Sequence, residues 1–472
     1  MHHDSTSVPS SLSNHDSVAL PDPWPAPTPL GPVKVTLTLP GSKSLTARYF
    51  MLGAFAAGPS RLRAPLYARD TRLMMNALRT LGVRIEEVPG SGSYGPDLVI
   101  FPRLASSDYD DAARVPLAGS GTIDCGLAGT VMRFVPFLAA LTPGEWTFDG
   151  DPAARLRPMG PILDTLRALG VEIRGGENGM LPFTIIGQET IAGGPVTIDA
   201  SGSSQFISAA MLAGAHFSKG LKLTHEGHKV PSADHIRMTS EALRGLGVRV
   251  DDSKTLTWAV SPGNIDAFDI EIEQDLSNAG PFLAAALATH GTVTIERWPA
   301  ETTQVGDRWR EYLPQLGATV TLVPRPRGGQ DLVVTGGETI TGADIADSSE
   351  LAPTLAGLLA LADSPSRLTG IAHLRGHETD RLQALVTEIN RLGGNARELE
   401  DGIEIIPAPL HGGVWESYED HRMATAGAVV GLAVPEVSVV DIATTSKTLP
   451  QFPELWDRVV ATAAATNRGS AE

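Results

Sequence analysis

"LRALGVEIRG", residues 166–175, closes one structural element and opens another. The apolar positions of a helix end at Leu169, and Gly170 stands where a helix takes a left-handed C′ residue. The residues that follow alternate like a strand with one wet face. The phrase returns as "LRTLGVRIEE" (78–87), "LRGLGVRVDD" (243–252), "LPQLGATVTL" (313–322) and "INRLGGNARE" (389–398), with Gly82, Gly247, Gly317 and Gly393 at the break. Successive glycines lie 88, 77, 70 and 76 residues apart. A sixth helix of this kind is expected at "PELWDRVVATAA" (453–464), without the glycine ending.

Between the copies runs a second phrase: a helix rich in small residues, a turn and a strand. It is read at 44–64, 127–148, 203–224, 277–296, 351–371 and 421–441. Alanine, glycine and serine along these helices let neighbouring backbones approach closely, so they suit a packed interior. The glycine-ended helices and their alternating strands suit a sheet with one solvent face. Six α+β units fit two domains of three better than an open solenoid. If the small-residue helices run parallel, their N-termini crowd one face of each domain. Two such faces opposed across a cleft would make an anion trap.

The formal charge of −17 argues against general nucleic-acid or anionic-membrane binding, both of which reward a positive surface. Lysine is scarce, at positions 34, 43, 219, 222, 229, 254 and 447 only. Cys125 is the single cysteine, which leaves no intrachain disulfide, cysteine-cluster metal site or CxxC pair. Residues 1–30 are rich in Ser, Pro and His, lack the basic-then-apolar order of a secretory signal, and are expected to form a disordered extension. No uninterrupted apolar run is long enough for a membrane span, and a cytoplasmic location is expected.

Chemistry gathers at the polar starts of the repeated helices. "LPGSKSLTARYF" (39–50) places Lys43, Ser44 and Arg48 where free amides and the helix dipole already favour an anion. Ser44 and Arg48, four apart, can share one face. Arg133, Arg157, Arg422 and Lys447 fall at comparable points. Three acids stand beside them: Asp275 in "EQDLSNAG", Glu350 as a cap in "DSSELAPTL" and Glu378 opening "GHETDRLQALVTEI". Each could simply complement a dipole, or, next to a cation, be perturbed enough to move protons. "PGSKS" lacks the upstream glycines of a nucleotide-binding loop, the histidines lack zinc-like spacing, and no GxSxG elbow is present.

"LPGSKSLTAR", "GLAGTVMR", "RPMGPILDTLRALG", "SGSSQF", "GHETDRL", "DHRMA" and "SKTLPQF" occur in this order. Together they resemble the 3-phosphoshikimate 1-carboxyvinyltransferase (EPSP synthase) family over essentially everything after residue 31. The resemblance implies an α+β, two-domain enolpyruvyl transferase fold of six βαβαββ-type units, three per domain, each domain like an inverse α/β barrel. The first, discontinuous domain is expected over 31–41 and 273–466, the second over 42–272, and a flexible tail over 467–472.

The same resemblance implies transfer of the enolpyruvyl group of phosphoenolpyruvate (PEP) to the 5-hydroxyl of shikimate 3-phosphate, releasing phosphate. It implies no metal or organic cofactor, two small anionic substrates, no nucleic-acid or membrane partner, and a monomer. By motif, Lys43, Ser44, Arg48, Ser203, Ser204, Gln205, Ser232 and Glu350 would meet shikimate 3-phosphate. Lys43, Gly129, Arg133, Arg157, Gln205, Arg381, Arg422 and Lys447 would meet PEP. Lys43, Glu350, Glu378 and Lys447 would be catalytic, Glu350 receiving or orienting the attacking hydroxyl, Glu378 and Lys447 handling protons at the PEP methylene and phosphate.

Four positions depart from the family pattern. Leu127 stands where Asn is frequent, Glu350 where many members have Asp, His377 where lysine is frequent, and His235 where Tyr is frequent. A related transferase acting on UDP-N-acetylglucosamine carries a loop cysteine over PEP; Cys125, just before "GLAGTVMR", is badly placed for that. A non-catalytic descendant would have no need of the acids.

Overall fold

The computed structural model describes residues 20–102, 119–326 and 328–468. Helices fill the interior and sheets wrap around them. Every residue of the helices Gly129–Ala140, Leu276–Ala288 and His421–Gly431 is buried, as expected for helices apolar all round. Small side chains set their spacing: a Cβ on Gly357 would lie 2.9 Å from the Ala426 carbonyl oxygen of the neighbouring helix.

The repeated phrase is a topological unit. In Gly194–Ile198, Leu221–His225, Val250–Asp251 and Thr257–Val260, the first two strands pair in parallel across a core helix, and the fourth lies antiparallel between the second and third. The order repeats for the sheets beginning at Gly119–Asp124 and Asp344–Ala346. Two other sheets borrow their first strand. Lys34–Leu37 pairs with Thr292–Trp298, and Asp269–Glu271 pairs with Ser60–Arg63. The chain therefore crosses between two domains twice. One apolar core runs from Leu45 to Ile272; the other joins Trp24–Leu39 to Leu276–Ala463.

The sixth unit has only two strands of its own, Gly413–Trp415 and Val437–Val439, and its open edge is covered by Trp24–Pro25. This corrects the expectation of disorder over 1–30 for residues 20–30. Trp24 is buried, and the Thr28 hydroxyl donates to the Gly431 carbonyl at 2.7 Å; a large aromatic with an edge to cover outweighs the polar composition around it. Residues 1–19 lie outside the described residues. At the other end the helix Phe452–Arg468 takes in residues 467 and 468 of the expected tail, and 469–472 lie outside.

The two crossings lie against each other. Gly41 and Gln274 form an antiparallel bridge, flanked by Ser42 N–H to Glu273 O (2.7 Å) and Asp275 N–H to Pro40 O (2.9 Å). Gly41 is required there, since a Cβ would sit 2.4 Å from the Ala64 carbonyl oxygen. Asp275 caps two helices at once. One oxygen accepts the Asn278 amide of its own helix (2.8 Å), the other the Lys43 amide that begins Lys43–Phe55 (3.0 Å).

Candidate active site

The crossings lead both capped helices to one cavity of about 100 Å³ between the domains. Contacts join its walls, His235 Nε2 to Glu350 at 3.2 Å among them, so the domains stand closed on one another. Lys43, Ser44, Gly129, Arg133, Arg157, Ser203, Gln205, Glu350, Glu378, Arg381 and Arg422 all line it. A larger cavity of about 230 Å³ lies against the crossing strands, with Glu271, Glu273 and Arg297 as its charged groups; the smaller one carries the chemistry.

One wall comes from the domain containing residues 43–271. Arg133 donates to Gln205 Oε1 at 2.8 Å and to Ser203 Oγ at 3.3 Å, and its guanidinium lies 5.0 Å from the Phe206 ring centre. Arg157 donates to the Leu127 carbonyl at 3.2 Å and lies flat against Gly129, where a Cβ would stand 3.1 Å from Nη2. The Nε of each of these arginines is buried without a partner. Lys43 lies 3.6 Å from the buried Asp70.

The other wall carries the acids and three more cations. Arg381 forms a two-pronged pair with Asp420 (2.7 and 3.1 Å) and donates a third bond to Glu378 at 3.0 Å. The Lys447 ammonium donates to the other Glu378 oxygen. Arg422 donates to the Ser277 carbonyl at 3.1 Å. Glu350 accepts from Ser277 Oγ (3.2 Å), Ser349 Oγ (2.8 Å) and, from across the cleft, His235 Nε2 (3.2 Å).

These surroundings set the charges. Burial opposes ionisation of Glu350, but His235, Arg422 and the Ser349 bond outweigh it and hold the carboxyl well below the usual range. Burial likewise works against Glu378, and Lys447, Arg381 and Arg157 override it in the same direction. Burial pushes Arg133 down to about 9, with Arg157 adding to the effect. Lys43 is lowered by burial, which Asp70 opposes and Lys447 and Arg422 reinforce. Burial keeps His377 and His421 well below the ordinary histidine value, with cationic neighbours contributing, so both are neutral at pH 7. Excess buried positive charge of this kind is relieved by an anion.

Four residues of the expected set do not line the cavity. Lys447 stands behind Glu378. Ser204 is buried at the start of the helix Gln205–Gly214. The Ser232 hydroxyl lies 2.6 Å from that of Ser349. Arg48 turns inward and binds Thr239 Oγ1 (2.8 Å), Ser208 Oγ (3.3 Å) and the carbonyls of Ser44 (2.9 Å) and His235 (2.8 Å). Glu378 does not begin a helix; Asp380 is the cap of Arg381–Arg391, accepting the Gln383 amide at 3.1 Å, which frees Glu378 to point into the cleft.

Thr130, Met238, Ser277, Gln304, His421 and Thr448 line the cavity without having been assigned from sequence. Asp420 and His421 belong to "DHRMA", where an acid two residues before Arg422 has the spacing of a cap. Among the described residues no helix is long and apolar enough to cross a membrane, and no three His, Cys, Asp or Glu side chains are grouped to hold a metal.

Comparison with known proteins agrees along most of the chain. The family model for EPSP synthase (3-phosphoshikimate 1-carboxyvinyltransferase) matches residues 27–456. A 3-phosphoshikimate 1-carboxyvinyltransferase from Kocuria rhizophila is 54% identical over 451 residues, covering 94% of this chain and 98% of the relative. Two structures of EPSP synthase from Acinetobacter baumannii superpose with TM-scores of 0.73 and 0.71, each at 26% identity, over 92% of this chain and 97% of the other.

Proposed function

The chain belongs to the EPSP synthase family, transferring the enolpyruvyl group of PEP to shikimate 3-phosphate, and from that premise we propose the part each cleft residue plays. The observation that supports the assignment is the meeting of Lys43, Arg133, Arg157, Arg381 and Arg422 around one gap, with Glu350 and the Glu378–Lys447 pair at its edge. PEP, with a phosphate and a carboxylate, takes the arginines together with Lys43. Shikimate 3-phosphate takes Ser44, Ser203 and Gln205 on the wall of residues 43–271, with Ser204, Ser232 and Arg48 behind it.

Addition forms a bond from the 5-hydroxyl oxygen to C2 of PEP while C3 gains a proton; elimination removes that C3 proton and breaks the C2–O bond to phosphate. Glu350, held ionised, accepts the hydroxyl proton. Glu378 is also held ionised; the proton of the pair rests on Lys447 behind it and passes through the Glu378 carboxyl, which faces the cleft, to C3. The ionised Glu378 takes one back in the second step. Fixed cations around the phosphate stabilise it as it leaves, and the proton first taken by Glu350 departs with it as hydrogen phosphate, which restores the base. Closure expels water and brings the two walls together.

The test is phosphate release assayed with each substrate omitted in turn and no metal added. Release that needs both substrates is expected; folded protein that binds either without dependent release would overturn the assignment of roles. A monomer is part of the same reading, and light scattering on the purified chain tests it.

A further inference from the structure

His235 reaches Glu350 from the opposite domain. It lies in the first turn of the helix Asp234–Gly245, and its carbonyl is held by Arg48 (2.8 Å), Thr239 Oγ1 (3.0 Å) and Ser208 Oγ (3.2 Å), so the imidazole is carried on a fixed mount. The segment leading to it grips the other domain at every turn. Lys229 pairs with Asp347 (2.5 Å), Ser232 meets Ser349 and His373 (2.6 and 3.3 Å), and Asp234 pairs with Arg308 (2.9 Å). Arg308 also donates to the Asp347 carbonyl at 3.1 Å.

Because an ionised Glu350 can only accept, the donors are ordered. Ser349 donates to Glu350, so Ser232 donates to Ser349, and His373 Nε2–H supplies Ser232. Thus 229–235 reaches Glu350 both directly and through this chain. Ser232, Asp347 and Ser349 all hold left-handed backbone, with φ of 51°, 53° and 52°. Three non-glycine residues kept there on both sides of one contact mark a site where surrounding structure sustains strain.

We propose that 229–235 is a closure clasp and His235 a positioning residue that completes the hydrogen bonds of Glu350 only when the domains are shut. Because these contacts bridge the two domains across the cleft, the clasp must open for the substrates to enter and reform over them in each cycle. Reformation then orients the base at the moment water is excluded. The proposal rests on Glu350 being that base.

The experiment compares H235F, H235Q and E350Q by steady-state kinetics. E350Q should lose about 10²- to 10⁴-fold in kcat. H235F should lose about tenfold in kcat with the KM for PEP held within twofold, and H235Q, which keeps an N–H donor, should recover most of that loss. K229A and R308A should each lower kcat severalfold, but add nothing in an H235F background, because they act through the same contact. Wild-type kcat in H235F beside an inactive E350Q overturns the clasp alone. So do equal losses in the Phe and Gln variants, or fully additive losses in the double variants. Full activity in E350Q overturns the base assignment and the clasp with it.

Discussion

Asp420 holds Arg381 through both of its oxygens, and one of them also accepts the backbone amide of Arg422 at 2.8 Å. One buried carboxylate thereby sets two cavity-lining cations: Arg381 by its side chain, Arg422 by anchoring the helix that bears it. D420N keeps the size but loses charge and one acceptor. Its KM for PEP should rise tenfold or more while the KM for shikimate 3-phosphate stays within about twofold. D420A should in addition cost about 3 kcal/mol in urea unfolding, near the lower end for a broken buried pair because Glu378 still partners Arg381. Equal rises in both KM values would mean that Asp420 serves the fold as a whole.

Lys447 and Glu378 are both buried and paired, and in the proposed mechanism the ammonium is the source of the proton that reaches C3. K447A leaves Glu378 with Arg381 as partner, so the acid stays ionised and the fold is largely kept. Turnover should fall at least 100-fold, the scale of a lost proton donor, with a change in unfolding midpoint too small to explain it. Parallel loss of stability and turnover would assign Lys447 a structural role instead.

Acid stability should report the buried histidines. Burial lowers His373 to about 4, against an ordinary 6.5. The unfolded chain therefore binds a proton that the folded chain refuses between these values. The sign follows: stability is full above about pH 6.5 and declines as pH falls towards 4. Between pH 7 and 5 this one group should cost about 1.5 kcal/mol, discounted for its partial exposure. Urea unfolding at the two pH values should show a smaller drop in H373N. An identical drop would place the titration elsewhere. Glu350 and Glu378, with lowered values, act in the same direction at more acid pH, from about the ordinary carboxyl value of 4.5 downwards, where the unfolded chain takes up protons that the folded carboxyls refuse.

The unit structure was legible because it is local. Gly82, Gly170, Gly247, Gly317 and Gly393 all take left-handed φ, between 82° and 98°, and a glycine ending needs only its own helix to be read. The strand exchange came only through the family resemblance, which joins 31–41 to 273–466, and not from any local signal. Nothing near Lys34–Leu37 announces pairing with Thr292–Trp298, and Trp24 covers an edge more than 400 residues away. Site residues divide in the same way. Lys43, Arg133 and Arg422 sit where helix starts put them. Arg48 does share a face with Ser44, as the spacing implied, but sequence could not show that Thr239, Ser208 and His235 would be waiting to turn its guanidinium inward.

His377 lies where the family often has lysine. Burial and Arg381 keep it uncharged, and it accepts a bond from Arg381 at 3.3 Å. A neutral acceptor has no protonation step near pH 7, and glutamine offers a comparable oxygen. H377Q should leave the pH dependence of kcat/KM within about 0.3 pH units of wild type. A displacement of a full unit would show that His377 carries a proton during turnover.

Gly129 is the last residue of the set whose role is geometric. Its missing side chain is what lets the Arg157 guanidinium lie against the helix start, and an added Cβ would come to 3.1 and 3.2 Å from the two terminal nitrogens. At that range the neighbour must give by a few tenths of an ångström, and Arg157, held by a single 3.2 Å bond to the Leu127 carbonyl, is free to do so. G129A should therefore fold normally and displace one PEP-facing cation slightly. The expected result is a several-fold rise in the KM for PEP, with the KM for shikimate 3-phosphate and the unfolding midpoint unchanged. An unchanged KM for PEP would mean that Arg157 can shift without losing the substrate, and would remove it from the list of residues that position PEP.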